Sequence, residues 1–213
     1  MSKDGAGSST PVHDGPALRT RVKGEIRTRM RAIRRAVPGD ARALRSSAVC
    51  ERVLGLAAFE RARVVAAFLA IQAEVDLARV VERARELGKT IVMPRVDEVE
   101  RALVMHVHGV DDALARSTFG VPEPLVSAPR VDASAIDLVL VPALAVDERG
   151  HRIGYGQGYY DRFLGTATGA TSVCVAFDFQ MIPEVSDLPA DRTVDVVVTD
   201  KRVIMVGRAV APK

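Results

Sequence analysis

The stretch GHRIGYGQGYYDRFL, residues 150 to 164, concentrates more groups able to do chemistry than any other part of the chain. All three tyrosines, Tyr155, Tyr159 and Tyr160, fall within six residues and interleave with Gly154, Gly156 and Gly158. Alternate glycines let the backbone take positive φ and turn successive N–H groups outward, so a chain can cradle an oxyanion without a cationic side chain. If YYDRFL begins a helix, its first amides point the same way. A plain hairpin or wide turn uses the same glycines, so the flanking residues carry the distinction. Arg152 offers a planar set of donors for a phosphate, Tyr159 and Tyr160 offer flat rings for a heterocycle, and Asp161 offers a carboxylate for Mg²⁺ or a ring amine. Together these suit a nucleotide and a second, flat substrate.

A second source of charge lies near the N-terminus, where Arg19, Arg21, Lys23, Arg27, Arg29, Arg31, Arg34 and Arg35 crowd one segment of a chain whose net charge is only +3. Such crowding suits nucleic acid, polyanionic small molecules such as ATP, or simply a solvated basic face. Lys23 and Arg27 are four residues apart, so a helix sets both on one face. Cys50 and Cys174 lack the paired spacing of a zinc or redox site and read as buried small hydrophobes. His13, His106, His108 and His151 show no partner spacing, and none is assigned a catalytic role.

These groups must be positioned by a scaffold, and 213 residues suffice for one domain with a substantial core. Residues 1 to 16, rich in Gly, Ser and Pro, read as a flexible tail, and 17 to 213 as a single domain. Apolar recurrence at Leu18, Val22, Ile26, Met30 and Ile33 predicts an amphipathic helix to Ala36, stopped by Pro38 and Gly39. A second helix is expected from an N-cap at Asp40 to Leu56, burying Leu44, Ala48, Val49, Val53 and Leu56. RVVAAFLA (63 to 70), a helix over Leu77 to Leu87, and KTIVMPRV form a strand, helix, strand unit, which signals a parallel crossover. Further strands are expected at Ala102 to Val107 and within 136 to 144, 172 to 177 and 194 to 199. Several of these are apolar on both faces, which requires helices on both sides of the sheet. The expected fold is therefore α/β, an open, mostly parallel sheet in a Rossmann-like three-layer arrangement, binding ligands at the carboxyl ends of its strands. No run of about 18 apolar residues and no leader-like segment is present, so a cytoplasmic protein without membrane contact is expected.

GHRIGYGQGYYDRFL resembles the hallmark segment of the 5-formyltetrahydrofolate cyclo-ligase family. Four more stretches match it in order: KGEIR, AEVD, GVPEP, and AFDFQ followed by ADRTVD, so the similarity runs from about Lys23 to Thr199. The resemblance implies an ATP- and Mg²⁺-dependent ligase that converts 5-formyltetrahydrofolate to 5,10-methenyltetrahydrofolate, releasing ADP and phosphate. It implies Lys23 and Arg152 as catalytic cations; Lys23, Arg27, Arg152, Gly154, Tyr155, Gly156, Gln157, Gly158 and Asp161 around ATP; and Glu74, Phe119, Tyr159 and Tyr160 around the folate. It further implies Asp161 and Asp191 as metal-side carboxylates, with Asp187 or Asp195 able to replace Asp191. For Glu74 the plainer alternative is an acid favouring a helix N-terminus, a role Asp76 fits better. The chain departs from the pattern where many members carry a basic residue among the loop glycines; here Tyr155 and Gln157 stand there, leaving fewer charges for the phosphates. A catalytically silent folate- or nucleotide-binding relative and a nucleic-acid module built on the basic helix are the other readings. The partners expected are a reduced folate and ATP, with no nucleic acid, acting on a monomer.

Overall fold

The computed structural model describes residues 15–117 and 120–207. Helix α1 (Pro16–Ala36) starts with proline in its first turn, where a missing N–H costs nothing, and therefore begins two residues before the expected point. Helix α2 (Gly39–Leu54) is capped by Pro38, not by Asp40, which lies inside its first turn. The α2 stripe keeps Val49 and Val53 buried as expected but is shifted toward Ser46 and Cys50, which are also buried, whereas Leu44 is 75 % exposed. A one-turn helix α3 (Ala57–Arg61) leads into β1 (Val64–Ala66). The crossover helix α4 (Ala78–Glu86) returns the chain to β2 (Thr90–Asp97), which turns back into β3 (Ala102–Val107). Two short strands, β4 (Leu114–Arg116) and β5 (Pro122–Pro124), form a separate ribbon before β6 (Arg130–Val131) and β7 (Leu138–Pro142). The hairpin β8 (Ala145–Val146) and β9 (Arg152–Ile153) precedes α5 (Tyr159–Thr166), β10 (Thr171–Val175), β11 (Val196–Val198) and β12 (Val203–Met205).

The main sheet has the order β12-β11-β10-β7-β1-β2-β3-β6. Its centre, β11 through β2, is parallel, and β12, β3 and β6 join antiparallel at the edges. The alternation within β7 explains the double-sided burial: Leu138 and Leu140 face one core with α2, α3 and α4, while Val139 and Val141 face another with α5. Helix α1 does not cover the sheet. It lies at its end, where Met30 packs with Leu144, Ala145 and Ile153 of the β8–β9 region.

From β1 the chain moves to β2 on one side, whereas β7, β10 and β11 build out on the other. The order reverses between β1 and β7, and the crevice at the carboxyl ends of such strands is where open α/β sheets bind ligands. The loop leaving β8 is tied back by Asp147, whose buried carboxylate accepts the N–H groups of Arg149 (3.0 Å), His151 (2.9 Å) and Val185 (3.0 Å). Gly150, at φ +81°, closes this turn against Val194, and an added Cβ would stand 2.6 Å from the Val194 carbonyl oxygen. Gly150→Ala should lower the free energy of unfolding by about 1–3 kcal/mol, the scale of one strained, crowded backbone position, in urea unfolding followed by circular dichroism; wild-type stability would show that the turn is not so confined.

Candidate active site

The residue types of the glycine segment decide its local path. β9 delivers Arg152, Gly154 then offers its carbonyl to Nε of Arg27 at 2.9 Å, and Gly156 runs under the Arg27 guanidinium at φ +101°. A Cβ on Gly156 would lie 3.3 Å from Cζ of Arg27, so the close approach of helix and loop depends on that residue having no side chain. Gly158, at φ +67°, reverses the chain into α5. Gly154 itself is not at positive φ, contrary to expectation; its part is played by the carbonyl.

Two cavities open on either side of this loop. One, of about 340 Å³, is lined by the loop from Arg152 to Asp161 together with Lys23, Arg27 and Asp191. The other, of about 410 Å³, is walled largely by apolar groups such as Phe68, Met93, Val96 and Leu103, with Glu74, Glu123, Gln72, Gln157 and Arg31 among its polar members. Leu103, Pro142, Tyr155, Gln157, Tyr159 and Tyr160 line both, so the two spaces meet at the carboxyl end of β7.

A family model described as the 5-formyltetrahydrofolate cyclo-ligase family matches residues 19–200. The chain belongs to this family of ligases. The 5-formyltetrahydrofolate cyclo-ligase of Mycolicibacterium smegmatis is 30 % identical over 200 residues, spanning 88 % of this chain and 98 % of that relative. The solution structure of Aquifex aeolicus 5,10-methenyltetrahydrofolate synthetase superposes with a TM-score of 0.78 at 29 % identity, covering 90 % of this chain and 96 % of that one. The Mycoplasma pneumoniae synthetase shares the fold, with a TM-score of 0.69 at 19 % identity over 84 % of this chain and 98 % of that one.

In this cyclo-ligase family member the expected cations come together, each with a partner. Lys23, buried on α1, is ion-paired with Asp191, whose Oδ2 also accepts the Leu188 N–H at 2.8 Å. Arg152 donates to the Arg192 carbonyl at 2.6 Å and to Asp161 Oδ1 at 3.1 Å, and that same oxygen accepts the Arg192 N–H. Among the described residues Arg27 is held by a carbonyl alone, and burial, reinforced by Arg31 and opposed by Asp191, pushes its guanidinium below the ordinary arginine range. Asp161 and Asp191 are thus already engaged by cations, and among the described residues no group of three or more His, Cys, Asp or Glu is arranged to hold a metal. The two substitutes considered for Asp191 lie elsewhere: Asp195 binds the N–H and hydroxyl of Ser172, and Asp187 sits near Arg19.

Tyr155 departs most from its expected place. Its hydroxyl accepts from Arg34 Nη2 at 2.6 Å and donates to Glu74 Oε1 at 2.8 Å, so the phenol end meets the carboxyl of the apolar cavity, while the residue lines both. Arg31 and Arg34 lie over its ring, 5.4 and 5.8 Å from the centroid. Burial and the neighbouring Glu74 push the Tyr155 phenol up to about 12. Arg34, only 1 % exposed, also donates Nε to the Gln72 carbonyl at 3.0 Å. Gln72 and Ala73 both sit at positive φ, 47° and 63°, which costs non-glycine residues energy and forms the turn that aims Glu74 into the cavity. Arg34 and Arg31 were not singled out from the sequence, yet 23, 27, 30/31 and 34 mark one face of a single helix, and that spacing was the available signal. Tyr159 lies beneath Arg162, and Tyr160 packs into the core under α5 while lining both cavities. Phe119 lies outside the described residues.

Glu74, 6 % exposed, is pushed above the ordinary glutamate range by burial, a shift that the Ile71 N–H, the Tyr155 hydroxyl and Arg34 only partly oppose. A carboxyl whose folded pKa is raised contributes stability that is complete below its unfolded value, near 4.5, and lost as pH rises through the folded value. Wild type should therefore lose stability relative to Glu74→Gln as pH rises above about 4.5, in urea unfolding at a series of pH values; a difference constant with pH would show that the Glu74 carboxyl is unperturbed.

Proposed function

We propose that the chain converts 5-formyltetrahydrofolate to 5,10-methenyltetrahydrofolate while hydrolysing ATP to ADP and phosphate. The observation that carries this reading is the shared wall: a cationic cavity built on a glycine loop abuts an apolar cavity holding a buried carboxylate. A phosphoryl acceptor in one can reach a phosphoryl donor in the other across Gln157 and the paired tyrosines. The family membership supports the same reaction.

A formamide oxygen is a poor leaving group, so the formyl oxygen attacks the γ-phosphorus and ADP departs. Nitrogen 10 then closes on the activated carbon, loses its proton, and phosphate leaves with the former formyl oxygen. Phosphoryl transfer asks for positioning and charge neutralisation more than for a strong base. Lys23, Arg27 and Arg152 supply the charge, and the amides of residues 156 to 160 supply donors that need no reorganisation. Tyr155 in place of a basic loop residue leaves the phosphates to the helix cations. Glu74 has a second role, accepting the 2-amino and ring N–H groups of the pteridine.

Mg²⁺ is usually held by one or two carboxylates plus substrate phosphates. Asp161 and Asp191 both line the nucleotide cavity with one oxygen engaged in each, so they suit a metal that arrives with the nucleotide. Such a metal would offset the charge that develops on the phosphates. Lys23, Arg27 and Arg34 turn inward from α1, which favours small-molecule anions over nucleic acid as the target of the basic helix. Among the described residues no helix is long and apolar enough to cross a membrane. A cytoplasmic, monomeric enzyme with one folded domain completes the proposal.

The test is the near-ultraviolet absorbance of the methenyl product: it should grow when 5-formyltetrahydrofolate, ATP and Mg²⁺ are all present, and its absence from the complete mixture would refute the activity. Arg152→Ala should lower kcat/KM by roughly a hundredfold or more, about 3 kcal/mol, as loss of a preorganised donor does. Unchanged kinetics in that variant would remove Arg152 from the site. Glu74→Gln should raise KM for the folate more than KM for ATP, and the reverse order would move Glu74 out of the pteridine pocket.

A further inference from the structure

Three side chains from distant parts of the sequence form a hydrogen-bond relay whose direction is fixed at its first member. A guanidinium has donors and no acceptor, so Arg34 Nη2 must donate to the Tyr155 hydroxyl, 2.6 Å away. The phenolic hydrogen is then left for Glu74 Oε1 at 2.8 Å, which makes that oxygen an acceptor. The other carboxylate oxygen, Oε2, accepts the Ile71 N–H at 3.0 Å. Both oxygens thus receive a donor from the protein, and each keeps further acceptor capacity.

Glu74 lines the apolar cavity, so that remaining capacity is what a ligand there can use. A protonated Glu74 would spend part of it on its own hydrogen and oppose an incoming N–H. Burial favours this neutral form, and the Ile71 N–H, the Tyr155 hydroxyl and Arg34 oppose it, so the relay supplies two of the three opposing interactions. The other charged or titratable groups of the cavity come from separate elements. Arg31 faces it from α1 and Tyr160 from α5, whose phenol is pushed up first by burial and then by Glu74. Glu123 faces it from β5, already accepting the Val96 N–H and 3.7 Å from Arg95. Arg34 Nη1 also stands 3.9 Å from Glu74 Oε1.

We propose that Arg34 is a positioning residue for the folate reaction: through the Tyr155 hydroxyl it keeps both oxygens of Glu74 available as acceptors for two adjacent ligand N–H groups. The inference rests on the activity proposed above, in which those groups are the 2-amino and ring N–H of the pteridine. Arg34 acts at one remove, being almost wholly buried and lining neither cavity. Its Nε bond to the Gln72 carbonyl, at 3.0 Å, sets it against the strained turn that carries Glu74. One cation therefore orients the hydroxyl and steadies the backbone of the acceptor.

The test follows kcat/KM for 5-formyltetrahydrofolate at saturating ATP and Mg²⁺ from mildly acidic to mildly alkaline pH, read as folate-dependent ADP release. Wild type is compared with Tyr155→Phe, Arg34→Met and Arg34→Lys, with thermal unfolding as the control for folding. Losing a donor to a carboxylate raises the pH at which it ionises, so the acid limb should move up by about one unit in Tyr155→Phe and Arg34→Met. Arg34→Lys, which keeps a charged donor, should move it less. KM for the folate should rise about tenfold in the first two variants, the scale of one charge-assisted bond, while KM for ATP changes little. If Arg34→Met does not fold, Tyr155→Phe decides alone. A limb that stays in place, or equal rises in both KM values, overturns the relay and leaves the activity standing. If wild type releases no ADP with the folate, the activity reading fails and calorimetric titration with 5-formyltetrahydrofolate decides the relay. Affinity lost at higher pH in Tyr155→Phe than in wild type sustains it, whereas one profile for both, or no binding, overturns it.

Discussion

The constraint on which the rest depends is that α1 turns cations inward and leaves the folded chain to satisfy them. Lys23 and Arg34 are almost wholly buried, and a buried charge is tolerated only when paired or hydrogen-bonded. Each is met by a different part of the chain: Lys23 by Asp191, Arg27 by the Gly154 carbonyl, and Arg34 by Tyr155, Gln72 and Glu74. One helix at the end of the sheet thereby fixes the glycine loop, the segment around Asp191 and the strained turn that carries Glu74.

That anchoring accounts for the adjacency of the two cavities. Tyr155 is a member of the loop by sequence and a partner of Glu74 by contact, so the glycine loop of the cationic cavity and the carboxylate of the apolar cavity share one connection. The strain at Gln72 and Ala73 persists because Arg34 holds the Gln72 carbonyl from behind. The reversal of strand order between β1 and β7 supplies the crevice into which all of this is set.

The balance of charge in the cationic cavity follows from the same economy of partners. Asp161 and Asp191 each steady a cation with one oxygen, which orients Arg152 and Lys23 before any ligand arrives. Preorganisation of this kind is what makes fixed charges effective at a transferring phosphoryl group.

Local pattern in the sequence was enough for the parallel α/β core, because period-2 and double-sided apolar runs such as LVLVP are written in consecutive residues, and enough for the glycine loop and the Lys23–Arg27 pair, whose spacing is short. Val49 and Val53 are buried as the helical period requires, but Leu44 and the Asp40 cap went astray, because both obey local preference while the tertiary packing of Ser46 and Cys50 shifted the buried face. What only the folded chain decided are pairings across long separations: Arg34 with Tyr155, Tyr155 with Glu74, and Lys23 with Asp191. An arginine on a helix with many arginines carries no local mark of which one will be buried. That choice is made by whichever distant carbonyl, phenol or carboxylate the sheet brings within hydrogen-bonding reach, since only a charge so met can leave water.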